Sequence, residues 1–114
     1  MATIKVNNLQ WSSITSEEQQ LLIETLIKAG SLKEGDEIIG DDEVPPHPNE
    51  PIPVSDFGLP FAGDGACEIA CTATYDYACG LCAGLTIGGP VAATLCYAAA
   101  SAAYGICLKE CLSP

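Results

Sequence analysis

Seven cysteines crowd into the stretch from Cys67 to Cys111, and no other feature limits the possible folds as strongly. So high a cysteine density is typical of small oxidised scaffolds, in which disulfide bonds supplement a core that a short chain cannot make large. In a reducing cytosol the same residues would be thioethers, metal thiolates or unreacted thiols. We therefore predict disulfide bonds, and we keep enzyme-made thioether crosslinks as the alternative chemistry.

Six of these cysteines are arranged symmetrically about Gly89. In two antiparallel helices, the residue numbers of every facing pair have the same midpoint, which we call the midpoint rule. Three cysteine pairs have Gly89 as their midpoint. The midpoint lies in Gly88-Gly89-Pro90, where glycine permits a turn and proline favours the first position of a new helix. The spacing predicts an antiparallel helical hairpin with helices at about 66–82 and 90–112. The predicted disulfides join Cys67 to Cys111, Cys71 to Cys107, and Cys82 to Cys96.

A close approach of the two helices is required by this pairing, because a disulfide needs Cα atoms about 4.4–6.8 Å apart and ordinary helix pairs lie about 8–10 Å apart. Small residues meet this requirement, with Ala78 predicted to face Ala100 and Tyr75 to face Ala103. Cys79 is left without a symmetric partner. It is a free thiol, an intermolecular bridge, or a competitor of Cys82 for its partner.

Charge divides the chain into unlike parts. The net charge is −11, arginine is absent, and 12 of the 15 acidic residues precede residue 66. Such a balance argues against a nucleic-acid partner, since a phosphate backbone requires a basic surface. From Tyr77 to Leu108 there is no charged residue. We therefore predict a mainly α chain with a leader segment at 1–39, an acidic proline-rich linker at 40–65 and a cysteine-rich hairpin at 66–114.

The leader segment carries signals for short regular elements. Thr3–Val6 has the composition of a strand, and Gly35–Ile39 is a second candidate. Between them, Thr15 with Glu18, or Ser16 with Gln19, fits a capping box at the start of an amphipathic helix predicted at about 17–29. Gly30 follows that helix as a natural terminating residue.

The linker holds six of the eight prolines between Gly40 and Pro60. Proline removes backbone donors and acidic residues repel one another, so an extended segment is expected. His47 lies between prolines, and we interpret it as a solvated linker residue rather than a metal ligand or a pH switch.

No set of residues predicts catalysis, a cofactor or a metal, and we expect no enzyme. Cys79–Cys82 form a CxxC, but no βαβ context for a redox motif is visible, and the only histidine that could add to a zinc site lies in the linker. Residues 83–108 are apolar, yet Gly88-Gly89-Pro90 interrupts them. A hairpin that is soluble when crosslinked and then enters a bilayer is the better interpretation.

The segment ACEIACTATYDYACGLCAGLTIGGPVAATLCYAAASAAYGICLKEC, residues 66–111, resembles the cores of cysteine-rich bacteriocin precursors and is similar in style to halocin-type peptides. The resemblance implies a cytoplasmic precursor whose hairpin is secreted after processing and acts on target membranes. Twin CxxxC helical hairpins also resemble plant α-hairpinins and small mitochondrial chaperones. A non-toxic binding or assembly module therefore stays open, as does a thioether-modified ribosomal peptide.

The resemblance also implies partners for the leader, namely a processing peptidase with its exporter, or a modifying enzyme. The residues before Trp11 lack the apolar region of a Sec signal peptide, so we expect another export route. Recognition would use strand addition and the apolar helix face, although this helix is equally well explained by packing on the chain's own core. The recognition residues are Ile4, Val6, Leu22, Leu26 and Ile27, and the expected cleavage region is Gly63, Asp64, Gly65 and Ala66.

Overall fold

The structure is a computed structural model and describes residues 3–50, 65–85 and 90–112. It confirms that the fold is mainly helical with disulfides among the C-terminal helices. In chain order the elements are β1 (Thr3–Asn7), α1 (Asn8–Ser13), α2 (Ser16–Ala29), β2 (Glu37–Asp41), α3 (Ala66–Ala83) and α4 (Pro90–Leu112).

The two strands form a parallel pair, in register from Thr3 opposite Glu37 to Asn7 opposite Asp41. Parallel neighbours need a crossover connection, and α1 and α2 supply it. The strands lie close to the predicted segments. Their pairing was not predicted, since neither short run reveals its partner.

Local signals account for both helices of the crossover. The side chain of Thr15 accepts a hydrogen bond from the amide of Glu18, and the carboxylate of Glu18 accepts one from the amide of Thr15. The first of the two predicted capping boxes is therefore present. Gly30 ends α2 at a φ of 88°, a conformation that suits glycine. Helix α1 was not predicted. It begins where the side chain of Asn7 accepts a hydrogen bond from the amide of Gln10.

One hydrophobic core unites the N-terminal elements with α3 and α4. Ile4 of β1 and Leu22 of α2 are fully buried in the same cluster as Tyr75 of α3 and Leu95 of α4. The amphipathic helix thus packs on the chain's own core, which was one of its two sequence-based explanations. Buried residues of β1 and α2 therefore lie in the same cluster as those of α3 and α4.

The beginning of the predicted linker is held in place by hydrogen bonds. The amide of Asn7 donates to Nε2 of His47 at 3.1 Å, and the Gln10 side chain both donates to the His47 carbonyl and accepts from its amide. Farther along, Thr94 of α4 donates to the Asn49 side chain at 2.9 Å. The interpretation of His47 as a solvated linker residue is therefore wrong, because its imidazole and backbone supply partners to the β1–α1 corner.

Candidate functional site: the disulfide-bonded seam of α3 and α4

Three disulfides join α3 to α4 along their length. The Cα atoms of Cys67 and Cys111 lie 5.7 Å apart, within the range that a disulfide needs. The other two pairs have similar separations, and the three bonded cysteines of α3 pair in chain order with successively earlier cysteines of α4. The structure therefore has the three pairs that the midpoint rule predicts, the others being Cys71–Cys107 at 5.9 Å and Cys82–Cys96 at 5.4 Å.

Small side chains lie buried along the same seam. Ala78 of α3 and Ala99 and Ala100 of α4 have no exposed surface. A methyl group at each position lets the two backbones come closer than helices with larger side chains would. This closeness allows disulfides to form between regular helices.

The free ends of α3 and α4 gather the sulfur atoms of both CxxxC pairs. The sulfurs of Cys67, Cys71 and Cys111 all lie within 4.8 Å of one another. Between the two bridges, the Cys71 and Cys111 sulfurs are 3.5 Å apart although they are not bonded. The remaining sulfur, that of Cys107, is bonded to Cys71. Cys67 is exposed and Cys71 is buried, so the cluster runs from the surface into the core.

Two tyrosines fill the middle of the seam. The rings of Tyr75 and Tyr104 stack with centroids 4.9 Å apart and planes 10° from parallel. The Tyr104 hydroxyl shares a 2.8 Å hydrogen bond with Thr72. The midpoint rule placed Tyr75 opposite Ala103, one residue from the aromatic neighbour that it stacks on. The available signal was that Tyr104 is next in sequence to Ala103, the residue that the midpoint rule places opposite Tyr75.

Cys79 carries the one free thiol among the described residues, and it is half-buried. Burial raises the pKa of this thiol; the Tyr75 hydroxyl opposes the shift through a hydrogen bond, and the Asp76 charge adds to it. A protonated thiol is a poor nucleophile. The CxxC of Cys79–Cys82 lies inside α3, and Cys82 is bonded to Cys96 instead.

The residues expected to recognise a processing enzyme are mostly not on the surface. Ile4, Val6, Leu22 and Leu26 belong to the buried core, and Ile27 packs against it. In the folded chain these side chains are therefore occupied by internal contacts.

The expected cleavage region is described only in part. Gly63 and Asp64 lie outside the described residues. Gly65 is the N-cap of α3, and Ala66 is the exposed first residue of that helix. A peptidase acting at this bond would meet the chain where it enters the helix.

One helix in the described part of the chain is long and apolar enough to cross a membrane. The most apolar window within this stretch, Pro90–Cys111, has a mean hydropathy of 1.6, and 56% of that window is buried within the protein. In this structure much of its apolar surface therefore serves the core.

The chain matches no protein-family model, and comparisons with curated proteins and with solved structures likewise find no match.

Proposed function

We propose that this chain is the precursor of a secreted, cysteine-rich antimicrobial peptide, with residues 66–114 as the active hairpin. The observation that carries the proposal is the combination of three α3–α4 disulfides with a segment, Tyr77 to Leu108, that holds no charged residue. Covalent bridges keep the helix pair together without a large core, and an uncharged surface is compatible with a bilayer.

The N-terminal half acts as a cover in this proposal. Apolar residues of β1 and α2 share the core with the hairpin helices, so removal of residues before the cleavage region uncovers part of the Tyr75, Tyr104 and Leu108 surface. Insertion into a bilayer then replaces the lost contacts, because removing apolar surface from water is favourable both in a protein core and in lipid. The disulfides hold α3 against α4 during the exchange.

Processing takes place before or during export of the cytoplasmic precursor. Since Ile4, Val6, Leu22 and Leu26 are buried in the folded chain, a peptidase with its exporter, or a modifying enzyme, binds them while the N-terminal half is unfolded. Leader recognition thus precedes the formation of the shared core.

A second candidate is a non-toxic binding or assembly module. The same shared core favours it, because a hairpin that packs on its own N-terminal half already has a stable folded partner. In this case residues 3–50 remain attached and the bridges serve as a rigid scaffold.

Mass spectrometry of the exported product, with and without reductant, tests the proposal. A precursor gives a fragment that begins near Ala66, and three disulfides lower its mass by about six hydrogens that reductant restores. Thioether crosslinks would persist after reduction. An exported chain that retains residues 3–50, and that neither inhibits growth nor releases dye from vesicles after cleavage, would support the module and exclude the antimicrobial precursor.

A further inference from the structure

We propose that, when its disulfides are reduced, the chain binds one Zn²⁺ ion through the thiolates of Cys67, Cys71, Cys107 and Cys111. This sulfur cluster lies at the free ends of α3 and α4, away from the Cys79–Cys82 motif that first suggests a metal. The inference is independent of the proposed antimicrobial role.

Ligand geometry is the first support. A tetrahedral zinc site with four cysteines has Zn–S bonds of about 2.3 Å, which places its sulfurs about 3.8 Å apart. The Cys71 and Cys111 sulfurs already lie 3.5 Å apart without a bond, and the Cys67 sulfur lies within 4.8 Å of both. Opening the two bridges allows the bonded sulfurs to move to the same spacing by side-chain rotation.

The backbone provides the second support. Each helix contributes two cysteines one turn apart on one face, and the facing Cα atoms are 5.7 and 5.9 Å apart. Four ligands therefore converge from two rigid elements. Cys67 is exposed, which gives an ion a path into the cluster.

The chemistry requires a two-electron reductant, for example a dithiol, and then the metal. Each disulfide accepts two electrons and two protons from one dithiol, which becomes a disulfide itself. Four thiols result, and Zn²⁺ displaces their four protons to form a tetrathiolate with a net charge of −2. The zinc then links the ends of α3 and α4 at the positions that the disulfides link after oxidation. A reducing compartment would thus hold the cysteines in their later pairing register.

The third bridge supplies a matched control. Cys82 and Cys96 are fully buried and join the same two helices, but they lie outside the sulfur cluster. Replacing any one disulfide pair by serine leaves five cysteines in the chain. Differences between such variants therefore report position rather than cysteine number.

Titration of the full, reduced chain with Co²⁺ under anaerobic conditions tests the proposal, with a phosphine as reductant. We expect one Co²⁺ per chain with the visible absorption of a tetrahedral tetrathiolate, displacement by one Zn²⁺, and a gain of helical circular dichroism on binding. C67S/C111S and C71S/C107S should each lower the Zn²⁺ affinity by at least about 100-fold, whereas C82S/C96S should keep the tetrathiolate spectrum.

Three results would overturn the inference. One is a reduced wild-type chain that binds no stoichiometric Co²⁺. Another is a C82S/C96S variant that loses the spectrum as fully as the other two variants. The last is retention of the spectrum by C67S/C111S.

Discussion

The backbone amide of Asn7 donates a 3.1 Å hydrogen bond to Nε2 of His47, forty residues later in the chain. An imidazole nitrogen accepts a hydrogen bond only when it carries no proton. The native structure therefore selects neutral His47, and partial burial also lowers the pKa of this side chain. The contact attaches the segment after β2 to the β1–α1 corner. Its strength depends on pH because only the neutral imidazole accepts this hydrogen bond.

We predict that stability falls as the pH drops through the ordinary histidine pKa of about 6.5. A lowered native pKa means that the unfolded chain takes up the proton first, so folding is progressively disfavoured below that pH. Urea unfolding at pH 7.5 and 5.5 measures the loss. His47→Gln does not titrate and should show a smaller loss over this interval. An equal loss in both proteins would assign the effect to other groups.

Leu22→Ala should lower the free energy of unfolding by about 2–5 kcal/mol, because this side chain is fully buried in the shared core. Leu9→Ala is the matched control, since Leu9 is 77% exposed and its removal should cost less than about 0.5 kcal/mol. Thermal unfolding followed by tyrosine circular dichroism reports on α3 and α4. If Leu22→Ala left that transition unchanged, the N-terminal half would not stabilise α3 and α4.

The three disulfides should contribute unequally. Cys67–Cys111 closes only four further residues on each helix beyond Cys71–Cys107, so its additional constraint on the unfolded chain is small. We expect C67A/C111A to cost less than about 2 kcal/mol. C82A/C96A should cost more, because it also removes two fully buried side chains. Equilibrium urea unfolding of the oxidised variants ranks them, and the reverse order would refute this reasoning.

The Tyr75–Tyr104 stack predicts a graded effect of substitutions at Tyr104. Tyr104→Phe removes the 2.8 Å hydrogen bond to Thr72 and should cost about 1 kcal/mol. Tyr104→Ala also removes the stacked ring and should cost about 3–5 kcal/mol. Tyr77→Ala serves as a control on an exposed tyrosine of α3 and should change stability little. Urea unfolding gives all three values, and equal losses for the two alanine variants would contradict a structural role for the stack.

Features that depend on neighbouring residues were readable from the sequence. The Thr15–Glu18 capping box and Gly30 bound α2 through contacts within a few residues, and the helix lies where they place it. α1 was missed because its start depends on the Asn7 side chain at the end of a strand, a weak local signal. The tethering of His47 was missed because its partners lie 37 to 40 residues away.

The sequence by itself determined the disulfide pairing. In two regular helices related by one midpoint, the distance of each residue from that midpoint specifies which residue it faces. Only the tertiary structure decided that β1 and α2 share a core with those helices. Hydrophobic contacts are non-directional, so an apolar face does not specify which element packs against it. The same holds for the sulfur cluster: spacing pairs Cys71 with Cys107, but the 3.5 Å approach of Cys71 to Cys111 depends on side-chain packing in three dimensions.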